Sequence, residues 1–266
     1  MLKPLLQFGV IAASFFLIWF GLDRIDWMTI FQVEKTTKNI EEKLGDLYWD
    51  ILKKIDDEIT DKNVISPVDS LITRICDRND INRDKIKLHV VENGEVNAFA
   101  LPDYHLVVFS GLIEECENEA ELCGIIAHEL AHLEKGHIMQ KLVKEVGLSV
   151  LLSMTSGNGN PEIIRQAVKV LTSSAYDRKL ETEADLAGAD YMIRAGIDPE
   201  AFAQFMFRMS ENEKGLPDQL FWISTHPGSE QRTRAILDYI KDREFTEEIV
   251  LDSLQWISLK ENSANH

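Results

Sequence analysis

The chain has 266 residues, 45% hydrophobic and 27% charged, which is enough apolar material for a packed core and too much for wholesale disorder. Lys plus Arg total 28 against 45 Asp plus Glu, a net charge of −17 that argues against a nucleic-acid partner and against electrostatic docking on anionic lipid. Cys76, Cys116 and Cys123 are odd in number and form no C-x-x-C pair, so neither a disulfide framework nor a cysteine metal site is readable.

Leu5 to Leu22 is almost wholly apolar, broken only by Gln7, Ser14 and two glycines. At 1.5 Å per residue such a helix nearly spans a hydrocarbon core of ~30 Å. Lys3 precedes the run, Asp23-Arg24-Ile25-Asp26 closes it, and Trp19 and Trp27 stand where an interfacial belt would lie. A cleaved signal peptide is the rival, but the run ends in Trp19-Phe20-Gly21-Leu22, too bulky for a small-x-small cleavage site. We therefore expect a transmembrane anchor over 1–22. Its flanking charges bias orientation only weakly, because Arg24, Lys35 and Lys38 offset Lys3.

Residues 23–63 read as an amphipathic juxtamembrane helix, with Ile40, Leu44, Leu47, Ile51, Ile55 and Ile59 on one stripe. Ser66-Pro67 resembles an N-cap and first-turn proline, opening a helix through about Asp77. Short β-like pieces follow at 86–91, 96–101 and 105–110, with Asn93-Gly94 as a hairpin turn signal between the first two. They predict one small antiparallel sheet. From Asn118 onward the pattern is helical. Asn118 and Glu121 resemble a capping box, Gly136 a C-cap, Ser156 to Pro161 a loop, and helix-like runs cover about 162–193, 199–211 and 229–242. The fold class is α+β, mainly helical with one small sheet. The metal-binding part spans 64–242 and a tail 243–266.

The strongest chemical signal is His128-Glu129-Leu130-Ala131-His132. On a helix, positions i and i+4 share a face, so two imidazoles reach one metal at ~2.0–2.1 Å. Glu129 sits ~100° round the helix, beside the metal, where it can take a proton from a metal-bound water. A catalytic zinc needs a third protein ligand. His137 is one candidate, but the run H-E-x-x-H-x-x-x-G-H misplaces the glycine and histidine of the metzincin pattern. His137 reads better as a helix-end residue suited to the C-terminal dipole. The better candidate is Glu181, which shares a helix face with Ala184, Asp185, Gly188 and Met192, a face small enough for another helix to approach closely. Asp185 can accept a hydrogen bond from a ligating histidine. His226 precedes Pro227 on extended backbone and either reaches into a cleft or opens the helix after Ser229. Arg178 and Arg232 are weaker candidates, with pairing to carboxylates as the alternative role. His105 reads as structural or surface, and a strand edge within 97–110 could take substrate by β-addition.

These motifs resemble the HtpX-like family of zinc metallopeptidases, which includes BepA and the CAAX prenyl proteases and combines H-E-x-x-H with E-x-x-x-D on a later helix. Asn97-Ala98-Phe99-Ala100-Leu101-Pro102, Ser110 to Ile113, Asn118 to Leu122, Tyr176-Asp177-Arg178 and His226-Pro227 are also similar to the family's landmarks, over about 65–240. The resemblance implies a zincin-like fold of gluzincin type with one Zn2+ per chain. In it His128, His132 and Glu181 are metal ligands, Glu129 is the base, Asp185 orients the site, and His226 lies near the metal as gate or transition-state donor. It also implies protein or peptide substrates, misfolded ones included, so the expected function is a membrane-tethered endopeptidase of protein quality control. The lipid bilayer is expected to be met through residues 5–22, and the weak anchor flanks with the resemblance to BepA imply a catalytic domain on the extracytoplasmic, periplasmic side. Two departures restrict what the resemblance carries. Leu142 to Met154 is short and holds Lys144 and Glu145, so HtpX's intramembrane helices have no counterpart, and no tetratricopeptide-like repeats follow. The competing class is a catalytically inactive zinc-binding chaperone-like or scaffold module, which an intact base and ligand set disfavour.

Overall fold

The structure is a computed structural model in which residues 33–154, 169–170, 177–212, 226 and 229–266 are described. The expected span over 5–22 and the loop Ser156 to Pro161 lie outside them. Among the described residues no helix is long and apolar enough to cross a membrane. Glu41–His266 forms one compact unit.

Helix α1 (Val33–Leu52) comes first, with Leu44, Tyr48 and Leu52 buried. The expected stripe is corrected at its far end. The helix stops at Leu52, Ile55 is 68% exposed, and Ile59 belongs to strand β1 (Glu58–Ile59). Helix α2 (Lys62–Arg78) starts earlier than Ser66-Pro67 predicts. Asp61 is the N-cap, accepting from the Asn63 amide at 2.8 Å, and Pro67 lies inside the helix. A carboxylate at the N-cap satisfies an orphan amide directly and so decides the boundary.

Strands β2 (Lys87–Val91), β3 (Ala98–Leu101) and β4 (His105–Phe109) complete a four-stranded sheet of order β1-β2-β4-β3. The expectation of an antiparallel sheet is corrected to a mixed one. β1/β2 and β3/β4 are antiparallel, but β2 and β4 run parallel, and Asn93-Gly94 joins strands that do not pair. The reason lies at the start of helix α3 (Ser110–Glu115), which claims that turn. The Gly111 amide donates to Asn93 O at 2.9 Å, Ser110 Oγ donates to the same oxygen, and a Cβ on Gly111 would lie 2.5 Å from the Gly94 carbonyl carbon. The actual hairpin is β3–β4 through Pro102, Asp103 and Tyr104, with Asp103 and Tyr104 at φ near +60°. Gly45 of α1 packs so closely here that a Cβ would meet Pro102 O at 2.4 Å.

Helix α4 (Glu119–Glu134) is buried continuously from Glu121 to Leu133. A helix with no solvent face is a central one, and α2, β3, α7 (Arg178–Ala195) and α8 (Pro199–Asn212) all pack on it. Helices α5 (His137–Glu145) and α6 (Leu148–Ser153) follow it directly, and α9 (Ser229–Ile240) packs on α7 and α8. The terminal segment ends in helix α10 (Ser253–Ser263), opened by a capping box at Asp252 and docked through Leu259, Trp256 Nε1 to Glu117 O (3.2 Å) and Lys260 Nζ to Cys116 O (2.8 Å).

Candidate metal centre

Two helix starts place the chemistry. At α4, Asn118 accepts from the Glu121 amide (3.0 Å), and the buried Glu121 carboxylate accepts from the Glu117 amide and from both Nη atoms of Arg208 at 2.6 and 2.7 Å. At α7, Asp177 caps the Lys179 amide (3.0 Å), which puts Glu181 in the first turn and Asp185 one turn on. The two helices meet at Gly188, where a Cβ would come within 3.1 Å of the His128 nitrogen. That close approach brings Glu181 and Asp185 against His128 and His132.

His128, His132, Glu181 and His226 are all buried, and one donor atom from each lies within 4.8 Å of every other. His128 Nε2 is 3.0 Å from His132 Nε2, 3.2 Å from His226 Nδ1 and 3.8 Å from Glu181 Oε2. His132 Nε2 is 3.5 Å from Glu181 Oε1, and His226 Nδ1 is 3.0 Å from the same oxygen. Tetrahedral bonds of ~2.0–2.1 Å put ligand atoms roughly 3.3–3.4 Å apart, within the span of these separations. Donor chemistry agrees, since three imidazoles and a carboxylate are a zinc-type set. Burial lowers the pKa of His128 to about 3 and that of His226 to about 4, against the opposing pull of Asp185 and Glu181 respectively. Both rings are thus neutral, with a lone pair to give. Burial pushes the Glu181 carboxyl up, but His226, His132 and Arg232 outweigh it and hold it well below the usual range, so it is an anion. The residues fit a divalent cation.

Residues 63–240 match the profile of peptidase family M48. The chain belongs to that family. Among its relatives is the mitochondrial metalloendopeptidase OMA1 of Schizosaccharomyces pombe, 30% identical over 183 residues, covering 68% of this chain and 54% of the relative. The beta-barrel assembly-enhancing protease of Escherichia coli is 25% identical over 206 residues, covering 72% of this chain and 42% of that one. The chain thus spans about half the length of these relatives.

In this M48 chain the remaining predicted residues stand as follows. Glu129 is buried, its Oε2 accepting from the Ala100 amide of β3 at 3.0 Å and its Oε1 lying 3.4 Å from His226 Nε2. Asp185 Oδ1 is 3.0 Å from His128 Nδ1. Burial raises the Asp185 pKa, yet Arg232 and His128 together bring it below the ordinary carboxylate value. Arg178 is not brought into this cluster, and Tyr176 and Pro227 lie outside the described residues. His137 is placed differently from its expected role at a helix C-terminus. Gly136, at φ +65°, ends α4 and turns the chain at once into α5, so His137 begins a helix. It is buried with Nδ1 3.1 Å from His132 Nδ1, and Nε2 is 3.7 Å from Glu183. Desolvation takes its pKa down to about 4, so the ring is neutral, and the tautomer with its proton on Nε2, toward Glu183, leaves Nδ1 to accept from His132. Spacing H-x-x-x-x-H was the available signal, but only a left-handed glycine between the two makes it a contact. Arg232 takes the carboxylate-pairing role read as its alternative, with Asp185 and Glu181, but which carboxylates it meets was not readable, because they lie 47 and 51 residues away in the chain.

Proposed function

We propose that this chain is a membrane-tethered zinc metalloendopeptidase whose centre is held by His128, His132 and Glu181. The observation that carries this reading is the convergence of four buried, metal-ready donors beside the carboxylate of H-E-x-x-H. When bound, Zn2+ supplies Lewis acidity: it polarises a scissile carbonyl and makes water a nucleophile near neutral pH. The residues supply the rest. Glu129 takes the proton of the attacking water on Oε1, the oxygen not held by Ala100, and passes it to the leaving amine. Asp185 Oδ1 lies 3.0 Å from His128 Nδ1 and His137 Nδ1 lies 3.1 Å from His132 Nδ1, so each imidazole turns Nε2 inward.

His226 completes a four-donor set, the closed arrangement of a structural site. A water therefore needs His226 to withdraw, which favours a gate over a transition-state donor. Substrate enters as an added strand. The bond from the Phe109 amide to Asn97 O fixes the alternation, so Ala98 and Ala100 turn their main-chain groups away from β4, toward the outer edge of β3, where the Ala100 amide already donates to Glu129 and the Ala100 carbonyl and the Ala98 groups are left for a substrate strand. Such recognition is mostly main-chain and suits unfolded protein, consistent with a role in quality control. The apolar run 5–22 would tether the domain, on the extracytoplasmic side. The test is zinc-dependent, chelator-sensitive cleavage of casein. A purified chain that binds zinc but cleaves no unfolded protein, with His226 present or replaced by Ala, would refute the reading.

A further inference from the structure

Arg232, in the first turn of α9, is among the described residues the one guanidinium in the centre, and it is only 5% exposed. Its Nε and Nη2 each donate to an oxygen of Asp185 at 2.6 Å. Its Nη1 lies 2.7 Å from Glu181 Oε2 and donates to the His226 carbonyl at 2.7 Å. Four contacts thus leave one planar group toward three residues on two other parts of the chain. Glu181 and His226 face the metal position directly, and Asp185 reaches it through His128. Asp185 Oδ1 also meets His128 Nδ1, Glu181 Oε1 faces His132 and His226, and the His226 ring points Nδ1 at the same place.

A carboxylate on a helix can rotate about its terminal bond and swap oxygens. Arg232 removes that freedom. Both Glu181 oxygens lie 3.0 Å from His226 Nδ1, but by holding Oε2 the guanidinium leaves Oε1, the oxygen 3.5 Å from His132 Nε2, for the ion, and by gripping Asp185 with a two-pronged fork it fixes the plane that orients His128. The same Nη1 ties down the main chain that carries His226. As a stability device this would be a poor one, because desolvating a buried ion-pair network usually consumes what Coulomb attraction returns. Geometry is what the fork supplies, and lysine, a point donor on a flexible stem, cannot reproduce it.

We propose that Arg232 is a positioning residue of the metal centre, selecting the ligating oxygen of Glu181, orienting His128 through Asp185 and docking the His226 main chain. This rests on the metallopeptidase reading above. The test compares Arg232→Lys, Arg232→Met, Asp185→Asn and the Arg232→Met/Asp185→Asn double variant with wild type. The readouts are the zinc dissociation constant by chelator competition, the visible spectrum of the Co2+-loaded protein, and thermal unfolding of the metal-free forms. We expect zinc binding 10–100-fold weaker in both Arg232 variants, an altered Co2+ spectrum, and a double variant much less impaired than the product of the single effects. Should Arg232→Met fail to fold, Arg232→Lys, which keeps the charge and loses the fork, decides alone. A folded Arg232→Lys with zinc affinity within twofold of wild type and an unchanged Co2+ spectrum overturns the proposal. Wild type that takes up no zinc overturns the metallopeptidase reading and this proposal together, whereas wild-type binding with unaffected variants sinks the Arg232 assignment alone.

Discussion

Gly188→Ala probes the spacing on which the metal centre depends. An added Cβ would lie 3.1 Å from the His128 nitrogen, 3.2 Å from the Ala127 carbonyl carbon and 3.3 Å from the His128 Cα. All three are main-chain atoms of the central helix, so relief comes only by moving α4 and α7 apart by a few tenths of an ångström. Overpacking of this kind costs about 1–3 kcal/mol, while replacing Gly by Ala inside a helix returns about 1 kcal/mol. The net effect on the metal-free fold is then a loss of about 0–2 kcal/mol. The metal site has no such offset, because His128 and His132 ride on α4 and Glu181 and Asp185 on α7. Denaturant unfolding of the metal-free protein and chelator-competition titration together measure both quantities. We expect zinc affinity to drop by at least about tenfold. If Gly188→Ala leaves zinc affinity untouched and raises stability by the propensity gain alone, then the helices are not held at contact distance here and the reasoning fails.

The remaining predictions concern other parts of the molecule. His105 Nε2 lies 3.1 Å from Lys87 Nζ and His105 Nδ1 is 3.0 Å from His89 Nε2, while His89 Nδ1 meets Glu58 at 2.7 Å and its ring stacks on Trp49. Desolvation, aided by Lys87 and His89 and opposed by Asp103, lowers the His105 pKa from 6.5 to about 4. A folded pKa below the unfolded one means stability present above pH ~6.5 and lost as pH falls toward ~4, by at most about 3 kcal/mol. The midpoint of chemical unfolding of wild type should fall over that window, and His105→Gln should flatten the fall; an equal slope in both would remove His105 as the cause. Leu259→Ala, at a fully buried position of α10, should cost about 2–5 kcal/mol if the terminal helix is part of the core. A change within 0.5 kcal/mol would show that the helix adds little. His137→Phe should weaken zinc binding by about 10-fold or more while preserving the fold, measured by the same titration; unchanged affinity would mean His132 needs no acceptor at Nδ1.

What the sequence made legible was local. His128, Glu129 and His132 are one helix turn, and Glu181 with Asp185 is another, so 3.6-residue periodicity placed each pair on a face without tertiary knowledge. Gly188 was readable as a small residue for the same reason. What escaped depends on contacts between distant segments. The Asn93-Gly94 turn looks like a hairpin until Ser110 and Gly111 are known to occupy its carbonyl. Pro67 looks like a helix start until Asp61 is seen capping an earlier turn. His137 looks like a helix end because the left-handed Gly136 reverses its meaning. Arg232 shows no periodic relation to its carboxylate partners, and only the packing of α9 on α7 delivers it to them.

The central claim, that Glu129 does acid–base work beside a metal held by His128, His132 and Glu181, is tested most directly by one paired measurement. Wild type and Glu129→Gln are purified, assayed for bound zinc, and compared in cleavage of unfolded casein. The account predicts about one zinc per chain in both and a loss of cleavage of at least about 100-fold in the variant. Cleavage undiminished in zinc-loaded Glu129→Gln, or no zinc in either protein, would contradict it.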